Sequence, residues 1–261
     1  MSEILTSGLT LMRRMPPALS DKSLAGLNRL IEDAEIVDQV CQRVDKPLKV
    51  GQCEQTGGEF ILCEFNRDGN SYRSPMSNLY QPPIPGGAVL SEPLRRLELK
   101  ANEIFNDYRR LYYEGGVSSV YFWDVSATAF ACAFLVKKDC EPRDGITQAS
   151  WESSNLIQAE FESQSRSVKY SITSTVFLTI SSEENSYGNL NLTGGLTRQH
   201  QEHKPCNDGF AESHVYNIIA LVENMESKLR SSLDLIYISK TQEILDRTRH
   251  VEMEKSRVKL A

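Results

Sequence analysis

The chain has 261 residues, of which 40% are hydrophobic and 25% charged, an ordinary composition for a globular protein with a substantial core. Its net charge of −6 argues against general nucleic-acid affinity, because phosphate binding needs a concentrated cationic surface. No run approaches the ~20 apolar residues that a membrane span needs, so we expect no transmembrane segment. The first 14 residues show no signal-peptide pattern, and the six cysteines include no C-x-x-C pair. We therefore expect a cytosolic protein with reduced thiols.

Residues 1–45 predict three short amphipathic helices. Apolar residues recur at helical spacing in each of them, and Pro16-Pro17 separates the first helix from the second. The apolar positions are Ile4, Leu5, Leu9 and Met12, then Leu24, Leu27, Leu30 and Ile31, then Ile36, Val37, Val40 and Val44. Short helices of this kind pack as an antiparallel bundle. We expect this N-terminal helical stalk to serve as a scaffold.

Residues 46–116 form a turn-rich segment with one strand and one helix. The apolar run at 59–65 indicates the strand, and the prolines and glycines between 75 and 87 exclude a long helix there. Between Glu92 and Tyr113 an apolar stripe at helical spacing predicts a helix, which Gly115-Gly116 should end.

Residues 117–208 predict an antiparallel sheet. The segment is rich in β-branched and aromatic residues, and residues 168–175 alternate with period two, as a sheet with one buried face requires. Short polar turns join the runs, so the strands should pair as a meander. The predicted strands cover 117–124, 129–137, 147–163, 166–181 and 189–196.

The last element is predicted as one long amphipathic helix that packs on the sheet. It runs from about Gly209 to Arg247, without any proline or glycine after residue 209, and would be on the order of 55 Å long. Its apolar stripe is Val215, Ile218, Val222, Met225, Leu229 and Ile236, widened by Ile219 and Leu233. A stripe of this length exceeds what one small sheet covers, which predicts a partner subunit. We divide this region into a long helix at 209–243 and a tail at 244–261.

No catalytic constellation is present, so we expect no enzyme, no cofactor and no metal. Gly57-Gly58 lacks the lysine and the spacing of a phosphate loop. His200, His203 and Cys206 have a spacing that could offer metal ligands, but their polar neighbours indicate an exposed loop. Residues 64–69 resemble the first half of a calcium loop, yet Pro75 stands where the bidentate glutamate should be.

The segment from Cys63 to Pro75 combines a turn signal, a charge cluster and an aromatic residue. Asp68-Gly69 is typical of a turn, because glycine reaches positive φ without steric cost. The side chains around it offer guanidinium donors, a carboxylate and a phenol that could satisfy one another. The residues of this motif, for which we expect a structural role, are Asn66, Arg67, Asp68, Gly69, Tyr72 and Arg73.

This segment resembles a conserved stretch of the β subunit of the F-actin capping protein. Two further blocks, at 114–124 and at 194–199, are similar to the same family, the latter one residue shorter than the family pattern. The three matches occur in the family's order over nearly the whole chain.

The resemblance implies an α+β fold and a defined function. It implies an N-terminal three-helix bundle, an antiparallel β-sheet meander, a long C-terminal amphipathic helix packed on the sheet, and a mobile C-terminal helical tail. It also implies a heterodimer with a capping protein α subunit, in which the strands of both subunits merge into one sheet. This heterodimer would bind filament barbed ends in the actin-rich cortex and block actin subunit exchange. Capping regulators and acidic phosphoinositides are further partners of the family.

An alternative function remains open at this point. The chain could be a structural adaptor that holds its α subunit inside a larger actin-related assembly without capping filaments. The C-terminal segment distinguishes the two functions, because an adaptor could dispense with it.

The resemblance also indicates which residues would contact actin. Arg230 matches a basic residue of the family's actin-binding patch, with Lys228 and Lys240 as neighbours. The tail corresponds in position to the family's mobile amphipathic segment, although its apolar stripe is ragged. Its candidate contact residues are Ile244, Leu245, Val251, Val258 and Leu260.

Overall fold

Three helices form the N-terminal region in the computed structural model: α1 (Glu3–Met12), α2 (Ser20–Asn28) and α3 (Ala34–Arg43). Asp33 caps α3, since its Oδ1 accepts hydrogen bonds from the backbone N–H groups of Glu35 (2.9 Å) and Ile36 (3.3 Å). The three helices share one apolar cluster, whose buried members are Leu5, Leu9, Met12, Leu24 and Val40.

The structure describes residues 3–12, 15, 19–44, 46–141, 148–161, 167–182, 190–206 and 212–260, with the backbone alone at 38, 42, 43, 182, 190–192, 234–249, 252 and 254–260. Pro16-Pro17 and the predicted helix start at Gly209 lie outside the described residues.

Two small antiparallel sheets follow the helices. The first pairs β1 (Lys49–Gln52) with β2 (Glu59–Leu62), and the second has the order β3 (Arg67–Asp68), β4 (Ser71–Arg73) and β5 (Tyr80–Gln81). The predicted strand at 59–65 ends at Leu62 because residues 64–66 form a 3₁₀ turn instead. In that turn Asn66 Oδ1 accepts a hydrogen bond from the backbone N–H of Cys63 (2.9 Å).

Helix α4 (Glu92–Tyr113) has the predicted bounds. Its C-cap, Glu114, is left-handed with φ of 52°, and Gly115 and Gly116 follow with positive φ. Only glycine fits at position 116, because an added Cβ would lie 2.4 Å from the carbonyl oxygen of Lys137. The glycine pair therefore brings the chain directly from α4 onto the sheet.

Five long strands form one antiparallel sheet, as the alternation predicts. They are β6 (Val117–Ser126), β7 (Ala129–Cys140), β8 (Gln148–Phe161), β9 (Ser167–Ser182) and β10 (Leu190–Pro205), in the spatial order β10-β9-β8-β7-β6. Each strand pairs with its neighbour in sequence, so the sheet is a meander. Within the described residues β10 pairs with β9 alone and lies at an edge of the sheet.

The sheet is covered on both faces. Phe122, Phe134 and Ile157 point toward α4 and the last helix, α5 (Ser213–Leu260), and join the main apolar core. Their neighbours Tyr121 and Leu135 point the other way and pack against residues of the 48–65 segment. The helix-covered face carries the candidate site.

Strand β10 is nine residues longer at its end than the prediction of 189–196. His200, Glu202 and Lys204, expected in an exposed loop, lie in this strand and pair in register with β9 as far as Pro205 opposite Ser167. The prediction was wrong because an edge strand keeps one side near solvent and therefore accepts polar residues that resemble a loop in the sequence.

Helix α5 is continuous from Ser213 to Leu260 and passes through the proposed boundary between residues 243 and 244. We expected the apolar stripe of this helix to need a partner subunit to cover it, and for the described side chains this was wrong. The chain's own sheet and α4 bury this stripe, because the long strands offer a larger surface than the sequence suggested. The buried members of the predicted stripe are Val215, Ile218, Val222, Met225, Leu229 and Leu233, with Leu221 buried beside them, and the side chain of Ile236 lies outside the described residues.

Candidate functional site

A carboxylate lies on the buried face of α5. Glu226 falls between Val222 and Leu229 at the three-four spacing of the stripe and is fully buried. A buried carboxylate is costly unless its oxygens receive hydrogen bonds. Each oxygen of Glu226 does. Oε1 accepts from Ser153 Oγ (2.6 Å) and Asn155 Nδ2 (3.0 Å) of β8, which attaches the helix to the middle of the sheet.

The other oxygen of Glu226 faces the end of α4. Oε2 accepts hydrogen bonds from the hydroxyls of Tyr108 (2.6 Å) and Tyr113 (2.8 Å). Burial and the adjacent Glu226 carboxylate raise the pKa of both tyrosines well above the usual value near 10, so both hydroxyls keep their protons and donate. Glu226 thus joins α4, α5 and β8 at one point.

Arg230 lies one turn after Glu226, at the surface of this cluster. Its Nη2 donates to the Tyr108 hydroxyl (2.7 Å) and lies 3.5 Å from Glu226 Oε2. The guanidinium carbon is 5.1 Å from the ring centre of Tyr112 and 5.6 Å from that of Tyr113, within cation–π range. The side chain keeps 26% of its surface exposed. The Arg230 guanidinium is therefore held by the cluster on one side, and its other side is open to solvent.

A shallow depression of about 500 Å³ opens beside Arg230, between α4 and α5. Tyr112 and Glu223 lie along it, joined by a 2.6 Å hydrogen bond from the tyrosine hydroxyl to Glu223 Oε1. Lys228 is exposed on the same helix, and Val251 is half exposed farther along it. The side chains of Lys240, Ile244, Leu245, Val258 and Leu260 lie outside the described residues, although their backbone is helical.

The group that supports Arg230 was not predicted from the sequence; it consists of Tyr108, Tyr112, Tyr113 and Glu226. One signal for it was available, because Glu226 is a charged residue at a position where the helical stripe demands an apolar one. Its tyrosine partners precede it by more than 100 residues, so no spacing in the sequence connects them.

The motif at 66–73 is joined to the rest of the molecule by Arg73. This buried guanidinium forms a bidentate pair with Glu98 of α4, with both N–O distances at 2.7 Å. Glu98 also accepts from the backbone N–H of Phe122 in β6 (2.9 Å) and from the Arg95 guanidinium. Burial opposes the charge of Arg73, but the hydrogen bonds and charge of Glu98 outweigh it and raise the pKa of Arg73.

Other motif residues act more locally. Asn66 is buried, and its amide donates to the carbonyls of Ile61 (3.3 Å) and Arg73 (2.9 Å). Arg67 pairs with Glu64 at 2.9 Å, and Tyr72 lies opposite it across the β3–β4 pair. Gly69 has φ of +58°, as the turn requires.

The expectation that the motif's charged side chains satisfy one another was wrong. Asp68 is exposed, whereas Arg73 reaches 25 residues along the chain to Glu98. The pairing follows from burial, because a buried guanidinium needs a buried carboxylate and the turn supplies none.

The described residues hold no group of three or more histidine, cysteine, aspartate or glutamate side chains that could bind a metal ion. His200 and His203 are three residues apart in β10, so they point to opposite faces of the sheet. Cys206 instead lies 3.3 Å from His214 Nε2, inside the core. Among all the residues that the structure describes, no helix combines the length and the low polarity that crossing a bilayer requires.

Comparisons with known proteins agree on one family. The family profile "F-actin capping protein, beta subunit" matches residues 5–245. The F-actin-capping protein subunit beta of Caenorhabditis elegans is 41% identical over 250 residues, which cover 96% of this chain and 90% of the relative. The corresponding protein of Drosophila melanogaster is 40% identical over 253 residues, covering 97% and 90%.

A solved structure shares the fold at low identity. The homodimeric actin capping protein alpha subunit from Plasmodium berghei superposes with a TM-score of 0.58 at 17% identity, covering 94% of this chain and 96% of that one. The arrangement of a five-stranded meander under two helices is thus that of the capping protein fold. This chain belongs to the beta subunit family of F-actin capping proteins.

The buried Arg73–Glu98 pair generates a stability prediction. Arg73→Ala should lower the free energy of unfolding by about 3 kcal/mol, because it leaves the buried Glu98 carboxylate without its main partner. Asp68→Ala, five residues away and exposed, should change it by less than about 0.5 kcal/mol. Chemical denaturation of both variants measures the difference. Equal losses would contradict the assignment of Arg73 as the residue that anchors the motif.

A second pair of variants tests the carboxylate on α5. Glu226→Ala should destabilise the fold by about 3 kcal/mol, since it removes an acceptor shared by four buried donors and leaves the hydroxyls of Tyr108 and Tyr113 without their acceptor. Glu223→Ala removes a carboxylate three residues earlier that bonds a single exposed tyrosine, and should cost less than about 1 kcal/mol. The melting temperatures of the two variants provide the comparison, and a Glu226 variant as stable as the Glu223 variant would contradict the prediction.

Proposed function

We propose that this chain pairs with a capping protein α subunit and that the heterodimer binds filament barbed ends and blocks actin subunit exchange. Family membership over residues 5–245 is the observation that carries the proposal. Relatives in worm and fly are named as capping protein subunits. A cap acts by occupying a surface, so the proposal needs no catalysis and no cofactor.

The edge of the large sheet supports pairing with a second subunit. Strand β10 is 16 residues long, and in the described residues its only neighbour is β9. Long open edges expose a row of backbone donors and acceptors that recruit another strand. The alpha subunit from Plasmodium berghei, which has this fold, is a homodimer. We therefore propose that β10 joins the sheet of the α subunit.

Hydrogen exchange in the heterodimer tests this edge. Within an edge strand every second amide faces away from its neighbour and exchanges quickly, whereas in a central strand all amides are protected. We expect consecutive amides of residues 193–204 to be protected, as the amides of β8 are. An alternation of fast and slow amides along β10, beside uniform protection in β8, would show that the edge stays open and that the subunits join elsewhere.

The actin contact is proposed at Arg230 and its neighbours. Actin's surface is acidic in general terms, and a subunit with a net charge of −6 must meet it through local positive charge. Arg230 offers such a charge in a fixed orientation, with Lys228 exposed two residues before it. We propose Lys240 as a third member of this patch.

The C-terminal part of α5 is proposed as a second contact. Residues 239–261 hold six basic residues against four acidic ones, so this end of an acidic chain is positive. Val251 and Met253 are 49% and 58% exposed on the same helix. We propose that these residues, together with Ile244, Leu245, Val258 and Leu260, dock on actin after the first encounter and that the tail moves to do so. Two linked contacts slow dissociation through effective concentration.

Capping kinetics separate the two contacts. Arg230→Ala should slow barbed-end association about tenfold at low salt and weaken its salt dependence, since close charge pairs across interfaces couple by about 1.5 kcal/mol or more. Deletion of residues 244–261 should chiefly speed dissociation. Both rates can be measured with heterodimer on pyrene-actin filament seeds. Arg67→Ala removes the same charge from an exposed position in β3, outside α5, so it serves as the matched control and should change neither rate.

One outcome would favour the adaptor function instead. If deletion of the tail leaves dissociation unchanged and Arg230→Ala leaves association unchanged, the chain holds its α subunit within a larger assembly without capping. For the capping heterodimer we propose a place in the actin-rich cortex, with capping regulators and acidic phosphoinositides as further partners. The motif at 66–73 and the N-terminal helical bundle are proposed as structural elements in either case.

A further inference from the structure

Tyr108 lies between a buried carboxylate and a surface cation. Its hydroxyl oxygen is 2.6 Å from Glu226 Oε2 and 2.7 Å from Arg230 Nη2. A guanidinium can only donate and an ionised carboxylate can only accept, so the single hydroxyl proton must point to Glu226. The hydroxyl therefore accepts from Arg230. The three groups form a chain of hydrogen bonds with one fixed direction, from Arg230 through Tyr108 to Glu226.

The inner end of this chain is held by the sheet. Ser153 and Asn155 of β8 donate to Oε1 of Glu226, at 2.6 and 3.0 Å, which fixes the plane of the carboxylate. The orientation of Oε2, and with it the hydroxyl of Tyr108, follows from that plane. Through Tyr108 and Glu226, the Arg230 guanidinium is thus held by β8, the central strand of the sheet, although Arg230 lies at the surface.

The rings of Tyr112 and Tyr113 limit the remaining freedom of the guanidinium, at 5.1 and 5.6 Å from their centres. In the described residues the polar contacts of Arg230 are those with Tyr108 and Glu226. An arginine has five N–H donors in a planar fork, so most of them remain for a ligand.

We infer that Tyr108 is a positioning residue, which with Glu226 holds the Arg230 guanidinium in the orientation that receives a carboxylate of actin. The inference rests on the proposed function, because it assigns Arg230 to the actin contact. A long side chain that is already ordered loses less freedom on binding, so pre-orientation strengthens a contact without adding one.

Tyr113 offers a matched control within the same cluster. Its hydroxyl donates to the same oxygen of Glu226 at 2.8 Å, but among the described contacts no hydrogen bond joins it to Arg230. Tyr108→Phe and Tyr113→Phe each remove one hydroxyl and one donor to Glu226, and both keep the ring. Only Tyr108→Phe also removes the acceptor that holds Arg230. A purely structural role of the cluster would affect both variants alike.

The experiment compares the two variants in the heterodimer with an α subunit. Tyr108→Phe should slow barbed-end association about threefold to tenfold, the range that one net hydrogen bond supplies, whereas Tyr113→Phe should change it less than about twofold. Melting temperatures should fall by similar amounts in both. With Arg230→Ala already present, Tyr108→Phe should produce no further loss. Equal association rates in the two phenylalanine variants would overturn the inference.

A second readout does not depend on actin. The rotation of the Arg230 guanidinium, followed by nitrogen-15 NMR of the heterodimer, should become faster in Tyr108→Phe and stay slow in Tyr113→Phe. Unchanged rotation in Tyr108→Phe would overturn the positioning role whatever the capping rates are. If rotation changes as expected but Arg230→Ala caps like the wild type, the positioning role stands and the proposed actin contact at Arg230 fails.

Discussion

A single buried carboxylate organises the helix-covered face of this protein. Glu226 receives hydrogen bonds from two tyrosines of α4 and from two polar residues of β8, while the apolar residues around it on α5 pack on the sheet. Apolar packing alone would tolerate small shifts of the helix along the strands, because it has little directionality. Directional bonds to a charge do not tolerate such shifts. The register of α5 on the sheet therefore depends on Glu226, and the surface that α5 presents depends on that register.

Glu98 has a similar role nearer the N-terminus. It joins Arg73 of the motif, Arg95 of its own helix and the backbone of β6. In both places a carboxylate that projects from a helix fixes elements that the chain supplies far apart. Buried ion pairs and networks are often worth less than apolar packing of the same volume, but their hydrogen bonds are directional and break when the partners shift. The two glutamates define how α4 and α5 sit on the same sheet.

Much of the fold could be predicted from local pattern. The bounds of α4 and four of the five long strands follow from periodicity, because a stripe at helical spacing or an alternation of period two marks a buried face. The prediction for strand β10 ended too early, since an edge strand carries polar residues whose sequence resembles that of a loop. The burial of the α5 stripe was misjudged because the area of a sheet depends on strand length, and an alternation of apolar residues does not define where a strand ends.

The candidate site was predicted only in part. Family resemblance indicated Arg230, but nothing in local spacing connects it to Tyr108, 122 residues earlier. The partner of Arg73 was likewise expected inside the turn and lies in α4. Periodicity reports which face of an element is buried, and it does not report which polar groups meet there. Pairings of that kind are set by the tertiary arrangement.

The long separation between Glu226 and its partners has a consequence for synthesis on the ribosome. The strands and α4 precede α5 in the chain, so the sheet can assemble before its second covering helix exists. At about 5–20 residues per second, the 48 residues of α5 take roughly 2 to 10 s to make. During that interval the part of the sheet that α5 covers and the two tyrosine hydroxyls remain in contact with water. The nascent chain is therefore most vulnerable to aggregation just before its last helix emerges, when a chaperone that shields one face of a sheet would be of most use.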